Sequence, residues 1–148
     1  MRKLHSLLIA GSVAGLAVPL AASPAAAAEA ASSCYVQAGS IGTNPNAGRA
    51  VGSWNWSSGN SLTSVHLEAS DLRADGYTPA VRLVTKQRDG DVHYWALHKA
   101  TGGAGTTLSW NTSATDTQGI ASAWVQGELL SGNSLVGLCY GDTKVNPD

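Results

Sequence analysis

Short runs rich in valine, threonine, serine and tryptophan alternate with glycine, asparagine and aspartate turns along most of this chain. The run at residues 62–70 shows the pattern best, because Val65, Leu67 and Ala69 alternate there with polar residues. No stretch after residue 30 carries apolar residues convincingly at the 3.6-residue period of an amphipathic helix. The pattern predicts an all-β fold, an antiparallel sandwich or small barrel of about eight strands. The predicted strands are residues 34–39, 49–56, 62–70, 80–88, 91–99, 106–111, 119–129 and 134–141.

Two kinds of turn signal indicate where the predicted strands reverse. Asp89 and Gly90 separate two strand-like runs, which is typical of a hairpin. The pentapeptide SGNSL occurs at residues 58–62 and again at residues 131–135, each time between a tryptophan-containing run and an apolar run. Glycine and asparagine accept the left-handed backbone of tight turns, so both copies are expected in hairpins.

Residues 1–30 have the layout of a secretory signal peptide. A short basic start precedes an apolar run, and alanine-rich sites of the A-x-A kind follow it. Cleavage is expected either before Glu29 or before Ala31. The remaining residues 31–148 are expected to form a single β-domain that is secreted and extracellular.

The two cysteines, Cys34 and Cys139, lie near opposite ends of the predicted mature chain. In an oxidising compartment such a pair is expected to form a disulfide. The bond would join the first predicted strand to the last, either as neighbours or across the core. It would close a loop of about 100 residues, which stabilises a fold by about 4–5 kcal/mol in the chain-entropy model.

The charge and hydropathy of the chain argue against two classes of partner. Its formal net charge is −1 at pH 7, without a long run of one sign, so it lacks the basic footprint of a nucleic-acid binder. After processing, no apolar run reaches the roughly 20 residues that a membrane span needs. Arg82, Lys86 and Arg88 share a face of one predicted strand, which is either solvated or a patch for anionic cell-surface polymers.

Residue patterns for catalysis or metal binding are weak in this sequence. His66, His93 and His98 lack a recognised ligand spacing, so no metal and no other cofactor is expected. Glu68 and Glu128 are the glutamates to consider for glycoside hydrolysis, but nothing in the pattern brings them together. The sequence therefore favours a protein without catalytic residues.

The large rings of the core must come from tryptophan and tyrosine, because the chain has five tryptophans and no phenylalanine. Trp110 and Trp124 alternate with apolar residues such as Leu108 and Ile120, which assigns both rings to the core. Trp95 is assigned there as well.

The remaining two tryptophans, Trp54 and Trp56, lie two residues apart and therefore share one face of a predicted strand. One interpretation is that both rings fill the core. The other is that they form an exposed platform, with Asn55 and Asn60 as hydrogen-bonding neighbours. Sugars present C–H faces that pack on aromatic rings, so a platform of this kind would suit a polysaccharide.

Several of these features occur together in one group of proteins. The alanine-rich signal peptide, a cysteine near each mature end and the segment DLRADGYTPAVRLV at residues 71–84 resemble small secreted proteins of actinobacteria. A glycine-rich turn, a tryptophan and the final cysteine continue the likeness to Cys139. The resemblance implies a secreted bacterial β-domain and carries no catalytic residues with it.

Two functions are expected from these features. The first is a secreted, non-catalytic binding module for a cell-wall or extracellular polysaccharide. The second is a secreted protein-interaction factor, such as an inhibitor, a toxin partner or a surface-assembly component, which uses an exposed edge strand and a tryptophan-rich surface. A small hydrolase is a third alternative.

Overall fold

The computed structural model describes residues 28–38 and 46–148, which form two antiparallel sheets arranged as a sandwich. Every regular element in these ranges is a strand, so the predicted all-β class is confirmed. The same residues contain no helix with the length and hydrophobicity needed to cross a membrane. Most of the predicted signal peptide lies outside the described residues, whereas the first strand already begins at Ala28.

Ten strands, numbered in chain order, are divided between the two sheets. The smaller sheet contains, in spatial order, β1 (Ala28–Val36), β2 (Gly48–Ser58), β3 (Ser61–Asp71) and β7 (Thr107–Thr115). The centre of the larger sheet is the pair β4 (Thr78–Gln87) and β8 (Ile120–Ser131). On the far side of β8 lie β9 (Ser134–Tyr140) and β10 (Lys144–Val145), and on the far side of β4 lie β5 (Val92–Tyr94) and β6 (His98–Lys99).

The predicted turns are confirmed as hairpins. Both copies of SGNSL reverse the chain, one between β2 and β3 and the other between β8 and β9. Gly132, in the second copy, has a φ of 60°, which explains the need for glycine there. Gly90 has a φ of 104° in the turn between β4 and β5, which the Gln87–Asp91 backbone hydrogen bond closes.

The core lies between the two sheets and contains the inward side chains of β2, β3, β4 and β8. The two sheets approach each other closely at Gly52, because a Cβ atom there would be 2.4 Å from Val125 Cγ1 in the opposite sheet. The missing side chain lets the sheets meet beside the large ring of Trp54. The largest fully buried side chains are Trp54, Leu62, Leu67, Leu83, Ile120 and Leu129.

Cys34 in β1 and Cys139 in β9 form the predicted disulfide, with their Cα atoms 5.9 Å apart. The bond therefore joins an edge strand of the smaller sheet to the larger sheet. Gly127 lies directly beside it, because a Cβ atom there would be 2.7 Å from Cys139 Sγ and 2.8 Å from Ala50 Cβ. This glycine leaves the space that the sulfur atoms occupy.

The predicted strand at residues 91–99 is interrupted in the structure. Trp95 turns towards the interior, where its Nε1 donates a hydrogen bond to Thr85 Oγ1 at 3.0 Å. The ring packs against the core, as predicted, and the ring of His93 stacks on it at a centroid distance of 4.3 Å. This inward turn separates β5 from β6.

Trp124 is half-buried on the outside of the larger sheet, and its predicted place in the core is wrong. The reason is a β-bulge, because Gln87 pairs with Ile120 and the next ladder pair skips Ala121. The extra residue reverses the alternation of β8, so Ile120 faces the core and Trp124 faces outward. Trp110, in contrast, packs against the core as predicted.

Candidate functional site

The structure separates the four residues predicted to bind a ligand. Trp54 and Trp56 point into the sandwich with 1% and 5% of their surface exposed, and their rings pack edge to face at 6.2 Å. Asn55 lies between them in the strand and therefore faces the opposite side of the sheet. Asn60 lies in the β2–β3 turn, where its Oδ1 accepts a hydrogen bond from Ser58. The core interpretation of the tryptophan pair fits this placement, and a ligand role for the four residues stays a prediction.

A groove of about 530 Å³ lies beside Trp56, between the start of β1 and the C-terminal segment. Because so little of the Trp56 ring is exposed, the groove offers a ligand no broad aromatic surface. Glu29 and Lys144 supply one acidic and one basic side chain to its walls. The lining residues are Glu29, Ala30, Ala31, Trp56, Thr143, Lys144, Val145 and Pro147.

Exposed aromatic and aliphatic side chains collect on the outer face of the larger sheet. Tyr94 on β5 and Tyr140 on β9 are 53% and 59% exposed. The register places Val84 between Tyr94 and Trp124, so these three side chains form one row across the sheet. Tyr140 pairs with Gln126, in the next row. We call this surface the aromatic face and define it by Val92, Tyr94, Trp124, Leu138 and Tyr140.

An ion pair lies at the centre of the aromatic face. Arg82 donates a short hydrogen bond from Nη2 to Glu128 Oε1, and Gln126 Nε2 donates to the same oxygen at 2.9 Å. The guanidinium carbon also lies 5.8 Å from the ring centroid of Tyr94, a cation–π arrangement. Glu128 is buried even though it faces outward, and its charge is compensated by these donors.

Two atoms of this cluster are buried without a hydrogen-bond partner, Arg82 Nε and Gln126 Oε1. The first is a donor and the second an acceptor, and the two residues are directly opposite each other on β4 and β8. Their opposite hydrogen-bonding roles make them complementary groups on neighbouring strands.

The predicted basic row on β4 is not a continuous patch. Arg82 is neutralised by Glu128, whereas Arg88 lies in the turn after β4 and donates to the backbone carbonyl of Asp148 at 3.0 Å. Lys86 and Arg88 are both exposed, but Arg88 lies against Gly59 and Gly119, away from the outer face of β4. The arrangement supports the solvated-face interpretation and not a patch for anionic polymers.

The outer face of the smaller sheet is polar. His66 Nδ1 lies 2.7 Å from Asn111 Oδ1, and its Nε2 lies 3.1 Å from Glu68 Oε1. Since both partners are acceptors, the doubly protonated ring is favoured. The Asn111 hydrogen bond, followed by the Glu68 hydrogen bond, raises the pKa of His66 above its usual value. We call this surface the polar face and define it by Ser53, Asn55, His66, Glu68, Ser109 and Asn111.

A second imidazole–carboxylate pair lies at the edge of the core, where His93 Nδ1 is 3.2 Å from Asp116 Oδ2. Gln87 Nε2 donates to this carboxylate at 2.8 Å, and the backbone N–H of Gln118 donates at 3.0 Å. The Gln87 hydrogen bond is the main cause that lowers the pKa of Asp116. Within the described ranges neither His93 nor His66 bonds to a hydroxyl or thiol, so no activated nucleophile is formed there.

The geometry does not assemble a metal or glycosidase site from the predicted candidates. In the part of the chain described by the structure, no three histidine, cysteine, aspartate or glutamate side chains are close enough to share a metal ion. Glu68 faces outward from the smaller sheet and Glu128 outward from the larger one. The two glutamates therefore cannot flank one glycosidic bond.

Comparison of the chain with protein-family models, curated proteins and solved structures finds no match. The candidate site therefore rests on geometry, and sequence reasoning missed its two exposed tyrosines. A signal for Tyr140 was present, because Cys139 must face the core to reach Cys34 and its neighbour must then face outward. For Tyr94 no comparable signal existed, since the break in the strand at Trp95 depends on tertiary packing.

Proposed function

We propose that this chain is an exported, non-catalytic binding protein that recognises another extracellular protein through its aromatic face. The observation that carries the proposal is the concentration of exposed apolar groups on one side of the sandwich. Of the eight exposed large hydrophobic side chains among the described residues, four lie on this face: Val92, Tyr94, Leu138 and Tyr140. Exposed apolar side chains concentrated on one face are typical of interaction sites.

The composition of the aromatic face favours a protein partner over a polysaccharide. Tyrosine, tryptophan and arginine are enriched in protein interfaces, and this face presents all three types around Arg82. Leu138 and Val92 add aliphatic groups, which a sugar hydroxyl surface would not match. The tryptophan pair that suggested a polysaccharide lies in the core instead.

Export is the second part of the proposal, supported by the signal-like N-terminus and the Cys34–Cys139 bond. The structure bears on the two expected cleavage positions. Glu29 and Ala30 are paired with β2, and Ala30 packs against the core. Cleavage before Ala31 would remove both residues, so cleavage before Glu29 is favoured. Mass spectrometry of exported protein should find Glu29 at the mature N-terminus, and a chain that begins at Ala31 would contradict this.

Site-specific photo-crosslinking tests the proposed surface. A benzophenone amino acid replaces Tyr94 or Tyr140 on the aromatic face, or Tyr35 as a matched control. Tyr35 is 51% exposed but lies on the smaller sheet, beside Arg49. After irradiation among the proteins that the producing cells export, we expect one protein to be captured from positions 94 and 140 and not from position 35.

Two results would contradict the proposed function. Equal capture from all three positions would mean that the aromatic face is no preferred surface. Capture from none of them, together with retention on insoluble polysaccharide that Tyr94→Ala abolishes, would identify a polysaccharide as the ligand. Melting temperatures of each variant serve as the folding control.

A further inference from the structure

The four edges of the two sheets differ in how they are protected. In the larger sheet the strands β5, β6 and β10 have only three, two and two residues, which is too short to template a partner. The remaining edges are β9 in the larger sheet and β1 and β7 in the smaller one.

The edges formed by β1 and β9 cover each other. A Cβ atom at Gly137 would lie 2.2 Å from the carbonyl oxygen of Gln37, and one at Gly141 would lie 2.8 Å from the Ser33 nitrogen. The Cys34–Cys139 bond crosses the same gap. This side of the sandwich is therefore closed by direct backbone contact.

β7 lacks several of the devices that usually protect an edge strand. It has nine residues, TLSWNTSAT, with no charge and no proline, and the bulge in its ladder lies on β3. Within residues 28–38 and 46–148 it pairs only with β3. β6 contacts β7 through side chains, because the ring of His98 stacks on Trp110 at 5.0 Å.

The hydrogen bonds between β3 and β7 determine which backbone groups of β7 point to its free edge. The Asp71 N–H donates to the Thr106 carbonyl, and the Asp116 N–H donates to the Asn60 carbonyl at the other end. Antiparallel strands bond to one neighbour at every second residue, so the even-numbered residues of β7 bond to β3. The odd-numbered residues direct their N–H and C=O groups to the free edge: Thr107, Ser109, Asn111, Ser113 and Thr115.

We propose that β7 pairs with β7 of a second copy of this chain, antiparallel and centred on Asn111. A two-fold axis at Asn111 places Thr107 opposite Thr115 and Ser109 opposite Ser113 of the other copy. Every free backbone group of β7 then gains a partner, and the two smaller sheets become one continuous sheet. This contact is separate from the aromatic face, so the dimer and the proposed function can fail independently.

Self-complementarity argues for a second copy as the partner. The side chains that meet on the outer face in this register are threonine with threonine, serine with serine and asparagine with asparagine. Such cross-strand pairs are favourable, whereas like charges directly opposite each other are destabilising. No charged residue of β7 opposes the contact, because the strand has none.

Cysteine cross-linking tests both the dimer and its register. In the proposed register the two Asn111 Cα atoms lie about 5.5 Å apart, within the range of a disulfide. We expect Asn111→Cys to form a disulfide-linked dimer on mild oxidation. Ser109→Cys is the matched control, because its two copies would be about 13 Å out of register along the strand. Equal cross-linking at the two positions, or none at position 111, would overturn the register.

Sedimentation equilibrium of the purified protein tests association without any cross-link. We expect a mass twice that of one chain, reduced to a single chain by Asn111→Lys, which places two ammonium groups opposite each other. Asn55→Lys puts the same charge on the polar face but on an inner strand, and should leave the dimer intact. A wild-type monomer at every accessible concentration would overturn the proposal, as would dissociation by Asn55→Lys alone.

Discussion

The two outer faces of this sandwich differ in how each accommodates a glutamate side chain. Each face carries a glutamate paired with a cationic or protonatable partner near its centre. On the aromatic face, Glu128 is buried and bonded to Arg82 and Gln126. On the polar face, Glu68 is over one-third exposed and meets His66 among serine and asparagine side chains. The two faces therefore differ in how far the carboxylate is removed from water.

The tryptophans of this protein also differ in whether they lie in the core or on an outer face. Trp54 and Trp56, two residues apart in sequence, belong to neither face, because they lie between the sheets. Trp124, which the sequence pattern places inside, lies on the aromatic face. Exposure of a large ring in this protein is therefore decided by strand phase, and proximity in sequence says little about it.

The largest expected effect comes from comparing two tryptophans. Trp54→Ala should lower the free energy of unfolding by about 3–5 kcal/mol, because it removes a fully buried ring. Trp124→Ala should cost only about 1–2 kcal/mol, since that ring is only partly buried before the change. Urea unfolding measures both variants. A Trp54→Ala variant that stays stable but loses retention on insoluble polysaccharide would restore the platform interpretation.

An intermediate effect is expected from the two glutamates. Glu128→Ala should destabilise the protein by about 2–3 kcal/mol, because it leaves the Arg82 guanidinium poorly compensated in a mostly buried position. Glu68→Ala should cost about 0.5 kcal/mol or less, as is usual for an exposed pair. Equal losses in thermal or urea unfolding would mean that the two faces do not differ in burial as described.

The smallest effect is the pH response of the polar face. Folding raises the pKa of His66 above its usual value of 6.5, first through Asn111 and then through Glu68. The protonated ring therefore stabilises the fold fully below that value, and this contribution is lost as the pH rises through the folded-state pKa. NMR titration should show the raised pKa. Glu68→Ala should lower it only in part, because the Asn111 bond remains; an unchanged value would contradict the assigned contacts.

Structural features that depend on neighbouring residues in the sequence could be predicted for this protein, whereas features that depend on pairing between distant strands could not. The hairpins at Gly90 and Gly132 were predictable from turn chemistry, and the Cys34–Cys139 bond could be predicted because the chain has just two cysteines. The aromatic face was not. Its placement of Trp124 depends on a single extra residue, Ala121, whose bulge reverses the phase of β8. The alternation of apolar and polar residues cannot reveal such an insertion, because a bulge is recognised only when the pairing with the partner strand β4 is known.

The pairing of β3 with β7 and of β4 with β8 also determines when the protein can fold. The chain leaves the smaller sheet after Asp71, contributes to the larger one, returns for β7 and leaves again, so neither sheet is continuous in sequence. The smaller sheet lacks its last strand until Thr115 is present, and the larger lacks its centre until Ser131 is present. A chain that lacks β8 can therefore make hairpins but not the complete sandwich, so collapse of the core waits for the second half of the sequence.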